Sequence, residues 1–286
     1  IRDRRYPIYE GVYRILTYKE RYGEMTDLYD RPYQTDYRNS VWNCGILPVY
    51  RQQLYSVYGE YKNTAREFFA TVNLTHNREW YNRIYEQRIE NGQVQRVSLP
   101  LSNHGSGYTV KSTLSKGFYD LGLKTSLMAL LNISKAEQSS GGQRLPYQYR
   151  LMRLEPKVIW TPNRHWETSY QTDIRYGGNK IGERTRLAPL WNVTQQVQLS
   201  YIFSPIEASL SVDHYHNDVN EDQSVNAVFA DFSVLWKSRR WQITATATNL
   251  FDKRTYAYTR YASLESYTSW VRIRPREFLV AIRYRL

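Results

Sequence analysis

Apolar and polar residues alternate with a period of two along most of the chain after about residue 50. Clear examples of this alternation are residues 121–133, 193–203, 206–212, 228–236 and 241–247. This period predicts β-strands that each have one apolar and one polar face. Residues 1–47 lack the pattern and are polar, charged and rich in tyrosine.

Charged residues avoid the apolar faces of these predicted strands. They occupy the opposite positions: Lys111, Lys124, Arg153, Lys157, Glu167, Asp173, Asp213, Asp231 and Arg283. An Arg or Lys facing lipid at the middle of a bilayer costs about 2–4 kcal/mol. We therefore expect the apolar faces to point outward to lipid and the charged faces to line a lumen, as in a transmembrane antiparallel β-barrel.

The links between predicted strands alternate between short and long. Short turns are predicted near residues 63–65, 116–117, 162–164, 204–205 and 238–239, and longer polar links at 81–105, 137–146, 178–188, 217–225 and 252–270. Aromatic residues flank the short turns: Phe118, Tyr119, Trp160, Trp166, Phe203, Trp236 and Trp241. Outer-membrane barrels have short periplasmic turns, long outer loops and aromatic girdles, whereas a soluble sandwich has no reason to ring one end with aromatics.

The pattern predicts about eleven strands after residue 51, and a further strand near residues 9–17. We divide the chain into an outer loop at 1–50 and barrel strands at 51–286. If the carboxy terminus is periplasmic, an odd number of strands places the start of the chain outside the cell. Because bacterial barrels have an even number of strands and both ends in the periplasm, this predicts further strands upstream. A twelfth strand would instead allow a complete barrel. Pro156 lies inside a predicted strand, and we expect it to mark a bulge because a closed barrel has no edge for a proline.

Composition agrees with a barrel. No segment approaches the roughly 18 uncharged apolar residues of a spanning helix, and the chain has 27 Tyr and 8 Trp. The formal net charge of +12 is scattered through the chain, so nucleic acid is not expected as a partner. Cys44 is the only cysteine, which excludes an internal disulfide. The chain begins at Ile1 without an export signal, and we favour a start within a longer protein.

The end of the chain carries the most specific motifs. The run Asn249-Leu250-Phe251-Asp252-Lys253, followed by Tyr256, resembles the NLFDK signature of TonB-dependent receptors. Residues 272–286 resemble the closing strand of these receptors, with the Arg-Pro-Arg of Bacteroidota members. The apolar residues of this strand share one face: Phe278, Val280, Ile282, Tyr284 and Leu286. A terminal Phe is more usual in the family than Leu286.

The resemblance implies the carboxy-terminal half of a barrel of about 22 strands in the bacterial outer membrane, filled by an amino-terminal plug. It also implies active import of a scarce solute such as a glycan, peptide or metal chelate. The implied partners are outer-membrane lipid, the inner-membrane TonB complex acting through a missing amino-terminal region, and a surface lipoprotein. The alternative is a complete, smaller passive porin or adhesin barrel; a soluble all-β binding protein or enzyme is a third class.

Aromatic residues in the loops are the candidate substrate contacts: Tyr29, Tyr33, Trp42, Tyr258, Tyr261 and Trp270. Exposed aromatics are enriched at recognition surfaces, although Tyr also suits packing at wet–apolar boundaries. His214 and His216 share a strand face, but without a further ligand cluster they are interpreted as solvated rim residues. No catalytic residue, cofactor or metal site is expected, since no nucleophile elbow or phosphate loop is present.

Overall fold

The computed structural model describes residues 8–90, 93–182, 185–186, 189–220, 222–261 and 266–285, which form strands and two short 3-10 helices. The first strands are β1 (Ile8–Tyr22), β2 (Tyr33–Gln34), β3 (Asn39–Trp42), β4 (Val49–Asn63), β5 (Phe68–Tyr81), β6 (Ile84–Glu90), β7 (Gln93–Leu99), β8 (Asn103–Phe118) and β9 (Leu123–Ser140). The others are β10 (Gln143–Asn163), β11 (Trp166–Ile181), β12 (Thr185–Arg186), β13 (Leu190–Phe203), β14 (Ile206–Asp218), β15 (Ser224–Lys237), β16 (Trp241–Thr248), β17 (Thr255–Tyr261), β18 (Ser266–Arg272) and β19 (Glu277–Tyr284). The 3-10 helices are Met25–Leu28 and Tyr119–Leu121. Within these ranges no helix is long and apolar enough to cross a membrane.

Twelve long strands form one antiparallel meander in the order β1, β4, β5, β8, β9, β10, β11, β13, β14, β15, β16 and β19. Each pairs with its neighbours in this order, so local hairpin connections dictate the topology. In the described part of the chain, β1 and β19 each have one unpaired edge.

The strand register brings the apolar stripes onto one face of this sheet. One row of directly paired residues is Val57, Leu74, Val110, Leu131, Met152, Tyr176 and Trp191. A second is Leu199, Leu210, Phe232, Ala247 and Phe278. We call this the outward face and its opposite the inner face. Because side chains alternate between faces, the charged residues predicted for the lumen lie on the inner face.

The outward face is covered by no other part of the described chain. Leu74 is 45 % exposed and Phe278 is 73 % exposed, although both lie within the sheet pattern that a soluble protein would bury. The buried hydrophobic residues of the described chain are only Ile84, Val97, Leu190, Ala227, Ala230 and Ala257. A contiguous apolar surface of this extent indicates contact with lipid or protein. An apolar band across adjacent antiparallel strands is typical of the wall of a membrane barrel. The protein is therefore all-β, with a membrane-spanning antiparallel sheet of the outer-membrane β-barrel type, located in the bacterial outer membrane.

The predicted short turns and aromatic girdle are confirmed at one end of the sheet. Five tight connections lie there: β4 to β5, β8 to β9, β10 to β11, β13 to β14 and β15 to β16. Exposed aromatics pack beside them, with ring centroids 4.7 Å apart for both Trp166–Tyr201 and Trp241–Tyr284. The opposite end of the sheet carries the longer connections.

Four details differ from the sequence predictions. β1 spans Ile8–Tyr22, which is longer than the strand predicted near residues 9–17, and it pairs with all of β4. Ile8 pairs with Asn63 beside a short turn, so β1 starts at the short-turn end and not outside as the odd count implied. Pro156 marks no bulge, because the β10–β11 register is unchanged on both sides of it. The 137–146 link is a hairpin extension of β9 and β10.

Two additional hairpins lie at the long-loop end. β6 and β7 pair with each other, β7 pairs in parallel with β3, and Glu86 of β6 reaches Ser139 of β9. β17 and β18 form a separate two-stranded sheet between β16 and β19. The second hairpin determines the shape of the candidate site.

Candidate functional site

A turn centred on Asn249 holds together the motifs that resemble TonB-dependent receptors. Asn249 has a positive φ of 51°, a conformation that Asn tolerates better than most residues. Its Oδ1 accepts the Lys253 N–H at 3.0 Å, and its Nδ2 donates to the carbonyls of Lys253 and Arg274 at 2.9 and 2.8 Å. The Asn249 N–H donates to Asp231 Oδ1 at 2.7 Å. One side chain therefore joins the end of β16 to the chain entering β19.

Asp252 completes this junction. It also has a positive φ, 50°, and its Oδ1 accepts the Arg276 N–H at 3.0 Å. The Ile273 N–H donates to the Arg254 carbonyl at 2.9 Å. Both sides of the β17–β18 hairpin are thus tied at its base, which fixes the direction in which the hairpin leaves the wall.

The hairpin folds onto the inner face of the sheet. Asn217 of β14, which is buried, donates from Nδ2 to the Tyr256 hydroxyl at 2.9 Å and to the Ala257 carbonyl at 3.2 Å. The rings of Tyr215 and Tyr256 meet edge to face with centroids 5.2 Å apart. Ala257 is fully buried in this contact. These contacts hold an outer connection within the lumen side of the wall.

A cavity of about 540 Å³ lies between the hairpin and the inner face of the wall. Its lining combines aromatic, charged and amide side chains: Tyr149, Arg153, Asp173, Arg175, Asn192, Thr194, Asn217, Tyr256, Tyr258 and Thr259, with Leu130, Leu151, Gly177 and Leu190. We call this the inner pocket. Its volume falls in the range of small-molecule sites.

Asp173 lies between two arginines at one side of the inner pocket. Arg153 donates to both carboxylate oxygens at 2.9 Å, and Arg175 Nη2 donates to Oδ2 at 2.6 Å. Arg153 also forms an ion pair with Glu155. Two cations and two anions balance in this cluster, which orients the guanidinium groups by bidentate contact.

The inner pocket also presents one hydrogen-bond acceptor that the described protein does not use. Asn192 Oδ1 is buried and has no hydrogen-bond partner in the described chain. A buried acceptor without a partner is costly, and a ligand donor would relieve that cost. Together with the tyrosine rings, the site can stack against and hydrogen-bond a polar ligand of low net charge.

The aromatic residues predicted from the sequence are divided between two places. Tyr258 lines the inner pocket, and Trp270 lies on the same hairpin with 68 % of its surface exposed. Tyr29 and Tyr33 meet edge to face at 6.0 Å in the connection after β1, where Trp42 Nε1 donates to the Asp30 carbonyl. No hydrogen bond or ring contact joins the two groups among the described residues. The side chain of Tyr261 lies outside the described part.

Several other predicted residues take structural positions. Phe278, Val280, Ile282 and Tyr284 lie on the outward face of β19, and Leu286 is outside the described residues. His216 Nδ1 contacts Asn226 Oδ1 at 2.9 Å, and its Nε2 lies 3.4 Å from Asp218. No group of three or more His, Cys, Asp or Glu side chains suited to a metal is found in the described ranges.

Two acids near the long-loop end of the sheet each accept several hydrogen bonds. Glu86 accepts from Arg88 Nε and Ser139 Oγ, both at 2.8 Å, and these bonds lower the pKa of Glu86. Glu79, on the inner face of β5, accepts from the hydroxyls of Tyr50 and Tyr81 at 3.2 and 3.0 Å.

The sequence located Arg153 and Asp173 on the lumen side but not the inner pocket itself. Asn192 and Asn217 were not predicted, because the hairpin fold brings them next to Tyr256 over long distances along the chain. The one local signal was the NLFDK motif, whose Asn249 turn aims the hairpin.

Comparison with known proteins adds little to this description. No family model matches the chain, and no curated protein matches it. Among solved structures, the chain is similar to the translocator domain of the autotransporter NalP from Neisseria meningitidis, at 11 % identity and a TM-score of 0.29, covering 96 % of this chain and 88 % of that one. A superposition this poor carries no argument about function. The assignment to an outer-membrane β-barrel wall rests on the sheet and its exposed apolar face.

Proposed function

We propose that this chain forms part of the barrel wall of a TonB-dependent importer that takes up a scarce solute across the outer membrane. The observation that carries the proposal is the β17–β18 hairpin, which the Asn249 turn directs onto the inner face. A polar pocket on the lumen side, closed by an outer connection, suits capture of a solute from outside. No catalytic residue enters the proposal.

The unpaired edges of β1 and β19 support membership of a larger barrel. Both edge strands are exposed along nearly their whole length, unlike the interior strands. Open strand edges do not occur in contact with lipid, because each unpaired backbone group is costly there. Further strands that pair with both edges would complete the wall, as in a barrel of about 22 strands.

The inner pocket favours some substrates over others. The charged residues that line it, Arg153, Asp173 and Arg175, form a cluster of no net charge together with the adjoining Glu155, and its tyrosines offer stacking surfaces. A neutral, hydroxyl- or amide-rich solute such as a glycan or peptide fits this chemistry better than a strongly anionic metal chelate. A surface lipoprotein partner and energy supply by the TonB complex are parts of the same proposal.

Competitive growth on defined nutrient panels tests the proposal. Strains lacking the gene or lacking TonB are grown on glycans, peptides and ferric chelates as limiting nutrients. Active import predicts the same nutrient-specific defect in both strains, and a similar defect when Tyr258→Ala and Asn192→Ala are combined in the full protein. A nutrient defect that appears without the gene but not without TonB would show passive entry and contradict the proposal.

A complete twelve-stranded passive barrel is the second candidate. The even number of long strands favours this candidate. The start of β1 and the end of β19 also both lie at the short-turn end, where Ile8 pairs with Asn63 and Tyr284 pairs with Trp241. Such a barrel requires β1 to pair with β19. It would conduct ions without any energy source.

Disulfide cross-linking distinguishes the two candidates in a Cys44→Ser background. Cysteines at Val12 or Leu16 are combined with cysteines at Val280 or Ile282, since a disulfide requires Cα atoms about 4.4–6.8 Å apart. The control pair is Val212→Cys with Ala230→Cys, which are directly opposed. The import proposal predicts oxidation of the control pair only, whereas efficient cross-linking of β1 to β19 favours the complete barrel.

A further inference from the structure

A row of basic residues lies on the outward face, where the wall leaves the apolar band. The register connects Arg78 of β5, through Ser106, to Lys135 of β9 and, through Gln148, to Lys180 of β11. Arg150 follows on the same face of β10. We call Arg78, Lys135, Arg150 and Lys180 the outer basic row. Because alternate residues share a face, these cations point to the same side as Leu74 and Leu131.

The outer basic row lies at the height of the outer lipid headgroups. Ten residues separate Arg78 from Phe68 at the short-turn end of β5, and twelve separate Lys135 from Leu123 on β9. At about 3.4 Å per residue and a strand tilt of about 40°, these separations correspond to roughly 26 and 31 Å. The apolar band of a barrel is about 25 Å tall, so both cations lie just beyond its outer boundary.

Aromatic residues immediately below the row mark the same boundary. On the outward face, His76 stacks on Tyr108 with ring centroids 4.3 Å apart, and Tyr55 stacks on His76 at 6.1 Å. Tyr is enriched where lipid tails meet headgroups, because its ring is apolar and its hydroxyl is polar. The order along β5 is therefore apolar Leu74, aromatic His76, then cationic Arg78.

The cations of the row have no carboxylate partner. Among the described residues, no ion pair includes Arg78, Lys135, Arg150 or Lys180, and the only acid of this face in the same cavity, Glu137, pairs with Arg144 at 3.4 Å. The Glu79 carboxylate accepts from Tyr50 and Tyr81 on the other face. A cavity of about 440 Å³ lies here, lined by Arg78, Trp80, His104, Lys135, Gln148 and Lys180 among others.

We propose that the outer basic row binds the phosphorylated headgroup of an outer-leaflet lipid. Unpaired Lys and Arg side chains at headgroup depth attract anionic lipid, and Arg matches phosphate oxygens with parallel N–H donors. The cavity holds the phosphate groups while the acyl chains lie on the apolar face below. The proposal depends on the lipid-facing assignment of the sheet and is independent of the import proposal.

Lipid titration tests this site on the full chain, folded in a zwitterionic nanodisc with EDTA to remove bridging cations. The probes are diphosphorylated lipid A, its dephosphorylated form and inorganic phosphate. The variant R78Q/K135Q/K180Q is compared with K111Q/K124Q/K157Q, which removes the same charge from the inner face. Each surface cation contributes separately to the free energy of binding anionic lipid. The outer variant, which lacks three cations, should therefore bind diphosphorylated lipid A about two orders of magnitude more weakly than the parent. The inner variant should bind like the parent.

Single substitution keeps the test independent of folding defects. K135Q alone should weaken lipid binding by about fivefold, with unchanged heat-modifiable migration on gels as the readout of folding. Dephosphorylated lipid should bind weakly to every variant. Equal binding of lipid A by the outer variant and the parent would overturn the proposal. Competition by inorganic phosphate as strong as that by lipid A would identify a free-phosphate site and overturn the lipid assignment.

Discussion

The pair Leu127→Arg and Met128→Arg places one charge on either face of the same strand. The two residues are neighbours on β9, four and five residues from its start at Leu123. At about 3.4 Å per residue and a tilt of about 40°, both lie roughly 10–13 Å above the short-turn end, near the middle of the apolar band. Leu127 is outward and Met128 is inward. Depth and local strand geometry are therefore matched.

The expected magnitudes differ because the two side chains meet different surroundings. An Arg facing lipid at the midplane costs about 2–4 kcal/mol, which is roughly a 30- to 900-fold loss in the folding equilibrium. At position 128 the new Arg lies directly opposite Glu155 on β10, in a polar surface. Substitution there should change the free energy of unfolding by no more than about 1 kcal/mol.

Reversible guanidinium unfolding in lipid vesicles, followed by tryptophan fluorescence, measures both changes. If the outward face met water instead, Leu127 would be a partly exposed surface residue, and its substitution would cost within about 0.5 kcal/mol. Equal and small effects at the two positions would therefore refute the lipid-facing assignment. If Met128→Arg lowered the free energy of unfolding more than Leu127→Arg, the lipid-facing and lumen-facing sides of the sheet would be the reverse of those assigned here.

Three further substitutions test separate parts of the structure. Asn249→Ala removes three side-chain hydrogen bonds and puts Ala at positive φ, so it should lower the free energy of vesicle unfolding by about 2–4 kcal/mol; Asn249→Gly should cost less, and an unchanged midpoint for both would contradict the turn. Because the folded state lowers the pKa of Glu86, protection of β6 from hydrogen exchange should be complete above the unfolded value of about 4.3 and fall as the pH drops through the lower folded value. Glu86→Gln should remove that dependence, and the same acid transition in the variant would exclude Glu86 as its cause. Arg14 lies on the outward face opposite Val57, so Arg14→Leu should raise the free energy of unfolding by about 2–4 kcal/mol; no gain would show that this part of β1 does not face lipid.

Period-two alternation was enough to predict the wall. In β9, β13, β14, β15 and β16 the faces differ so clearly that a shift of one residue would expose every polar side chain to lipid. The short turns were predicted from the few residues that separate consecutive alternating segments. The faces and turns were therefore predictable from local sequence alone.

β1 was only partly predicted because its outward face is mixed. Glu10 and Arg14 interrupt the apolar positions Ile8, Val12 and Leu16, so the alternation that marks the other strands is weak. Pairing with β4 along its whole length nevertheless makes it a strand. Tertiary pairing overrides local preference in such cases.

Pro156 lies in a regular strand, although a bulge is expected for a proline in a closed barrel. Proline lacks the N–H of one ladder bond, and a bulge was the expected remedy. The register stays constant from Tyr147 to Trp160 because pairing on both sides of Pro156 holds the strand in place. The β10–β11 ladder lacks the pairs of Glu155 and Pro156 and resumes in the same register at Lys157.

The inner pocket could not be predicted because it depends on contacts between distant segments. Tyr256 and Asn217 are separated by 39 positions, and Arg153 and Asp173 by 20. The NLFDK motif indicated a turn but not the direction of the hairpin. That direction follows from the hydrogen bonds of Asn249 to Arg274 and Asp231.

Cysteine scanning along β9 tests the lipid-facing orientation most directly. Single cysteines at residues 127–131, in a Cys44→Ser background in vesicles, carry a fluorophore that is quenched by brominated lipid or by aqueous iodide. The structure predicts lipid quenching at 127, 129 and 131 and iodide quenching at 128 and 130. Quenching without this alternation, or iodide quenching at Leu127 and Leu131, would contradict a wall whose apolar face meets lipid.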